Sequence, residues 1–163
     1  MLVYKDDLPT YTRRLGNVSM ITHVFHISQH DWLVKAYINS DVSDADLILR
    51  ELQSVGADME TMRLAFSNLS SGQKNTGLTY TSKWNRVTII VVSESTSAEE
   101  FFNSLVHEIC HAKTHICEYL GIDLRSEEAA YFSGGLARDL FPHVKHLLCE
   151  DCRKKLTECH CKH

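Results

Sequence analysis

His107 and His111 lie four positions apart, with Glu108 directly after the first histidine, in a stretch whose apolar residues have helical spacing. Residues four apart share one face of a helix, so both imidazoles are expected to point at one spot. Glu108 lies one residue round the helix, close enough to reach a water molecule there. The segment predicts a helix that begins at a capping box in residues 97–100 and ends at Gly121.

This H-E-x-x-H pattern suits a zinc ion. Two neutral imidazoles are good zinc ligands, and an adjacent carboxylate can take a proton from a zinc-bound water. On a helix the pattern is typical of metallopeptidase sites. We therefore expect His107 and His111 to bind one catalytic Zn²⁺ and Glu108 to act as general base.

A catalytic zinc needs a third protein ligand and one position left open for water. Glu127 is the expected ligand, because it begins an E-x-x-A pattern sixteen residues after His111, at the start of the next predicted helix. Small residues continue its face and would let two helices approach closely: Ala130, Gly134 and Ala137. Glu128 is the alternative, about 100° round the same turn.

Two further residues are weaker candidates for the third ligand. His115 continues the histidine face, but on a straight helix it lies about 12 Å from His107, too far to share one ion. Cys117 occupies the position of the third metzincin histidine, but that pattern also needs a glycine where Thr114 stands. We expect His115 to be a supporting or surface residue, and Cys110 and Cys117 to be small core residues.

The remaining pattern predicts an α+β fold, with helices packed on a small, mostly antiparallel sheet. Strands are predicted at residues 20–27, 77–82 and 86–92, with a strand or short helix at 31–38. The second hairpin strand is apolar on both faces and should be central, and the first should be an edge. Further helices are predicted at 43–55, capped by Ser43, at 58–69, and from Ser126 to about Pro142, which ends or kinks it.

Composition places the chain among single-domain globular proteins, with 44% apolar and 23% charged residues. A net charge of −4 argues against general nucleic-acid binding. No apolar run approaches the roughly 20 residues of a membrane span. The first residues lack a signal-peptide pattern, so a cytoplasmic protein is expected. Residues 1–148 are interpreted as one domain whose first 17 residues form a loose arm.

Residues 149–163 form a tail rich in cysteine and histidine. The pairs Cys149/Cys152 and Cys159/Cys161 offer four thiolates, so a second, structural zinc is possible there. The alternative is a flexible tail that scavenges metal or responds to oxidation.

The combination of H-E-x-x-H at residues 107–111 and E-x-x-A at residues 127–130 resembles the gluzincin class of zinc metallopeptidases. The order of elements over residues 43–141 is similar to the short, single-domain zincin-like peptidases of phages and mobile elements. The resemblance implies His107, His111 and Glu127 as ligands and Glu108 as base. It also implies an edge strand that holds extended peptide beside the metal, for which residues 77–82 match best, with contacts from Leu78, Thr79 and Tyr80.

The expected function is therefore zinc-dependent hydrolysis of a peptide or protein substrate by an endopeptidase. Zinc would polarise the scissile carbonyl and acidify its water, and Glu108 would carry the proton to the leaving amine. Tyr131 is a weak candidate for stabilising the transition state, as are Tyr80 and Arg125. Two alternatives stay open: a non-catalytic binding module with a zincin-like fold, and a metal-dependent regulator that senses through its tail.

Overall fold

The computed structural model describes residues 20–150 and the backbone of residues 4–5 and 11–12. The fold is α+β, and residues 20–150 contain four main strands and four α-helices. The strands are β3 (Ile21–Ile27), β4 (Trp32–Ser40), β5 (Gly77–Ser82) and β6 (Val87–Ser93). The helices are α1 (Ala45–Ser54), α2 (Met59–Ser70), α3 (Ala98–Leu120) and α4 (Glu127–Val144), and the last is followed by a 3-10 turn, Lys145–Leu148.

The strands form one mixed sheet in which β3, β4, β6 and β5 lie side by side in that order. Only β4 and β6 run parallel, and the other pairs are antiparallel. In the described part of the chain, β5 lies at one edge and β6 inside, as the hydrophobic pattern predicts. The segment at 31–38, for which both a strand and a helix were open, is the strand β4.

Two short strands, β1 (Tyr4–Lys5) and β2 (Tyr11–Thr12), pair with opposite ends of β3. The other residues of the segment 1–17, which was expected to form a loose arm, lie outside the described residues. At the four described positions, backbone pairing with β3 satisfies main-chain groups of a segment that has no hydrophobic periodicity.

Helices cover both faces of the sheet, and each face has its own apolar core. Side chains alternate between the faces along a strand, so neighbours such as Ile89 and Ile90 enter different cores. The larger core packs the sheet against α3 and α4, and includes Trp32, Phe101 and Phe132. The smaller one packs it against α1 and α2, around Ile48 and Leu52.

Helix ends follow the capping patterns in the sequence, with one exception. The side chains of Asp58, Ser97 and Ser126 accept hydrogen bonds at the starts of α2, α3 and α4. Gly121 ends α3 in the left-handed region, at φ 72°. The predicted cap Ser43 is wrong, because Asp41 instead caps a 3-10 turn that precedes α1.

Pro142 does not end α4, since the helix continues to Val144 and the 3-10 turn follows. Val144 and Leu147 are buried, so packing against the larger core holds the chain in helical form past the proline. No helix in residues 20–150 is both long and apolar enough to span a lipid bilayer.

Candidate metal and catalytic site on helix α3

Helix α3 buries one side and presents His107 and His111 on the exposed side. Its buried residues, including Leu105, Ile109 and Ala112, anchor it in the larger core. The Nε2 atoms of the two histidines lie 3.0 Å apart, and the ring centroids 4.6 Å. The structure thus brings the two imidazoles together as the spacing predicts.

The separation of these two nitrogens suits a shared zinc ion. Nitrogen ligands 2.0–2.1 Å from a tetrahedral zinc lie roughly 3.3 Å apart, and imidazole Nε2 is a preferred ligand atom. Because both rings are exposed, solvent can reach the space beside them. The pair could therefore supply two of the four ligands of a zinc ion.

Glu108 is almost completely buried, with 4% of its surface exposed, because its side chain points at strand β5. The hydroxyl of Thr79 donates a hydrogen bond of 2.7 Å to Oε2 of Glu108. The same hydroxyl lies 3.2 Å from the Glu108 carbonyl oxygen. These contacts hold the Glu108 carboxylate against strand β5 and give it a defined orientation.

Gly77 allows β5 to come close enough for this contact. A Cβ atom at position 77 would lie 2.5 Å from Oε1 of Glu108 and 2.6 Å from its Cγ. Real Cβ atoms do not approach that closely, so any other residue would move the carboxylate or the strand. The absence of a side chain at position 77 is therefore part of the geometry of the site.

A second set of polar contacts connects α3 with the sheet one turn after His111. Nδ1 of His115 lies 3.3 Å from the hydroxyl of Thr81, which lies 3.1 Å from that of Thr88. The Thr88 hydroxyl also accepts a 3.0 Å hydrogen bond from the buried indole of Trp32. Burial, with repulsion from the neighbouring His111 next, lowers the pKa of His115. His115 is thus half-buried and held by the sheet, and whether it supports a metal site stays a prediction.

The predicted third ligand, Glu127, is exposed at the first position of α4. Within residues 20–150, no three or more His, Cys, Asp or Glu side chains are arranged to hold a metal ion. The neighbouring Glu128 lies close enough to Cys117 for its charge to help raise the pKa of that thiol, although burial is the main cause.

The expectation that small residues of α4 face α3 is wrong. Ala130, Gly134 and Ala137 are all exposed. The helix instead buries its larger apolar residues, which include Phe132, Leu136 and Leu140. Removing these side chains from water stabilises the fold more than close approach of a small-residue face would.

The weaker substrate candidates lie on both faces of β5. Only Thr79 points toward α3, whereas Leu78 and Tyr80 pack against the smaller core. The Tyr80 hydroxyl donates to the carbonyl of Gly56. The side chain of Tyr131 borders a cleft whose lining includes none of the H-E-x-x-H residues. Of Leu78, Thr79, Tyr80 and Tyr131, only Thr79 contacts the site, through Glu108.

The two cysteines of α3 differ in burial. Cys117 is buried as expected, but Cys110 is exposed, because position 110 falls on the solvent side of α3. Of the four tail cysteines only Cys149 belongs to the described residues. The predicted tail zinc site, with Cys152, Cys159 and Cys161, lies outside them.

No protein-family model, curated protein or solved structure matches the chain. The chemistry of the site therefore rests on its own geometry. Sequence reasoning missed the roles of Gly77 and Thr81. Their signal is the alternation of small or hydroxyl residues at positions 77, 79 and 81, which places them on one face of the strand.

Proposed function

We propose that the chain is a zinc-dependent peptidase with a zincin-like fold. One observation carries the proposal: the imidazoles of His107 and His111 meet on α3, and the residue directly after His107 is a buried glutamate that edge strand β5 holds through Thr79. A protein that used this surface only for packing would have no reason to bury Glu108 among polar partners, since burying a carboxylate is costly.

The expected ligands are His107 and His111, with Glu127 as the third from the sequence pattern. When bound, the zinc supplies an acidified water and a Lewis acid for the scissile carbonyl. The two histidines fit that task as they stand. Glu127, by contrast, is proposed as a ligand only from its position in the sequence.

Glu108 would take the proton from the attacking water and deliver it to the leaving amine. Its hydrogen bond from Thr79 orients the carboxylate without a charged partner. No cationic side chain is hydrogen-bonded to Glu108 among the described residues, so its acceptor capacity is kept for the water and the amine.

The substrate would bind as an extended peptide along β5. This strand lies at the sheet edge in the described residues, and an added strand gains affinity from main-chain hydrogen bonds without a fixed sequence. Because Thr79 links the middle of β5 to Glu108, a peptide on that edge would pass next to the proposed base.

The decisive experiment compares the wild-type chain, Glu108→Gln and Glu118→Gln, the last an exposed glutamate on the same helix. We expect all three to bind zinc equally, measured by elemental analysis. On a mixture of fluorogenic peptides, only Glu108→Gln should lose turnover, by at least about 100-fold. Full turnover in Glu108→Gln, or a wild type that gains no zinc over His111→Ala, would refute the proposal.

The third ligand is tested by Glu127→Ala, with Glu128→Ala as the matched control one position along. If Glu127 is the ligand, only its replacement should weaken zinc binding, by about 10-fold or more. Zinc affinity that is unchanged from wild type in both variants would show that neither Glu127 nor Glu128 is a ligand.

The absence of a third ligand grouped with the histidines in residues 20–150 favours a second candidate, a non-catalytic binding module with the same fold. That function predicts peptide binding along β5 that is unchanged by Glu108→Gln. It also predicts no hydrolysis by the wild type with zinc present.

A further inference from the structure

A cleft of about 720 Å³ lies between α4 and the turn that joins β3 to β4. The turn between β3 and β4 forms one wall, where His30 lies. Helix α4 forms the other, with the exposed Glu128, Tyr131, Gly134 and Arg138 and the buried Phe132 and Gly135. Neither the H-E-x-x-H residues nor Glu127 is among the residues that line this cleft.

A large side chain and an empty space lie next to each other on this side of α4. The Tyr131 side chain projects into solvent, with 73% of its surface exposed. A Cβ built on Gly134 would meet no atom within 4 Å. The helix therefore presents a projecting aromatic ring next to an open space. Exposure of such an aromatic ring to water is unfavourable.

Opposite charges lie at the two ends of the cleft. Glu128 lies at the amino end of α4, and Arg138 lies ten residues on, about 15 Å along the axis. Both are exposed, and Arg138 also makes a 3.5 Å ion pair with its own Asp139. The surface thus carries a negative end, an aromatic and glycine middle, and a positive end.

These features are symmetric in sequence about Ser133. Glu128 and Arg138 are each five residues from it, and Tyr131 and Gly135 are each two residues from it. When two copies of a helix pack antiparallel across a two-fold axis, positions equally spaced about the centre face each other. Glutamate then faces arginine twice, and each tyrosine faces Gly135 of the other copy.

We propose that this side of α4 binds a second copy of the chain in a two-fold symmetric dimer. The Tyr131 ring of each copy enters the cleft of the other at Gly135, next to the open space at Gly134, as an aromatic anchor. The missing side chain at the exposed Gly134 lets the two helix backbones approach closely. A parallel arrangement would place Glu128 against itself, so the charges select the antiparallel one.

A second copy fits better than an unrelated partner because the one surface holds both members of each complementary pair. The dimer does not depend on zinc or on peptidase activity. It also leaves the exposed face of His107 and His111 open, since none of those residues lines the cleft.

The test is sedimentation equilibrium of the full chain, as wild type, Glu128→Arg and Arg138→Glu. The wild type should dimerise. Each variant alone places like charges against each other twice, so its dimer should weaken at least about tenfold. An equimolar mixture of the two variants restores both opposite-charge pairs, so the mixture should form heterodimers with near wild-type affinity.

Gly134→Leu supplies an independent variant that keeps the fold. It fills open space and replaces a helical glycine, so its thermal stability should not fall, but its dimer should be lost. Arg63→Glu, a charge reversal on the exposed side of α2, is the control and should still dimerise. A wild type that stays monomeric at millimolar concentration, or variants that fail to recombine on mixing, would overturn the proposal.

Discussion

The two faces of the β5–β6 hairpin are built differently although the same strands supply both. Toward α1 and α2 the hairpin presents apolar side chains such as Ile89 and Val91. Toward α3 it presents Ile90 and Val92 together with Gly77 and three threonines, and the threonine hydroxyls hydrogen-bond Glu108, His115 and one another. We refer to these as the apolar face and the α3 face.

The difference shows how a two-residue period lets one strand serve two purposes. Threonine keeps the β-branched shape that favours a strand while offering a hydroxyl to the neighbouring helix. On the apolar face the same shape is provided by valine and isoleucine without a polar atom. On the α3 face, Thr88 is buried and Thr79 and Thr81 are half-buried, and each hydroxyl has a hydrogen-bond partner, as burial of such groups requires.

The largest effect on the stability of the two faces should come from truncating the two adjacent isoleucines of β6. Ile89 and Ile90 are both fully buried, one in each core, so each change to alanine should lower the free energy of unfolding by about 2–5 kcal/mol in urea. Only Ile90→Ala should also shift the NMR signals of the histidines on α3. Equal shifts from Ile89→Ala would show that the two faces are not separate.

The next largest effect on stability should come from two opposite substitutions, one of threonine by valine and one of valine by threonine. Thr88→Val removes the acceptor of the Trp32 indole, and Val91→Thr adds a hydroxyl to the apolar face. Each should cost about 1–3 kcal/mol by urea denaturation, despite nearly unchanged volume. A neutral Thr88→Val would mean that the hydrogen bonds of the α3 face contribute nothing to stability.

The smallest effect concerns the helix caps on the two sides of the sheet. Ser97→Ala at the start of α3 should cost about 1 kcal/mol at any pH. Asp58 caps α2 as a carboxylate whose pKa is lowered by the hydrogen bond from the Thr61 amide. Its contribution should be complete above the ordinary carboxyl pKa and lost as the pH falls through the lowered one.

Thermal unfolding of Ser97→Ala, Asp58→Ala and wild type across acidic pH separates these two caps. The difference between Asp58→Ala and wild type should shrink as the solution becomes more acidic, whereas that of Ser97→Ala should stay constant. A constant difference for Asp58→Ala would mean that the charged carboxylate is not the capping form.

Elements with a strong hydrophobic period could be predicted from the sequence. The run of apolar residues in β6 gave a central strand, and helical spacing placed His107 and His111 on one face. The direction in which α4 packs could not be predicted in this way. Its small residues and its large apolar residues indicated opposite faces, and only the summed burial of Phe132, Leu136 and Leu140 decides between them.

Contacts between distant segments were also beyond sequence reasoning. Thr79 meets Glu108 only because the sheet sets β5 against α3, and no spacing within either segment encodes that distance. The same holds for Gly77, whose need for a missing side chain appears only when the two segments are together.

The parallel pairing of β4 with β6 has a consequence for the order in which the molecule assembles. Leu33 pairs with Val87, more than fifty positions along the chain, so the centre of the sheet closes a long loop that contains α1, α2 and β5. Closing such a loop costs chain entropy before its contacts repay it, and topologies of this kind fold slowly. We expect the H-E-x-x-H helix to form early by local contacts and to gain its partner Thr79 only in the late, rate-limiting step.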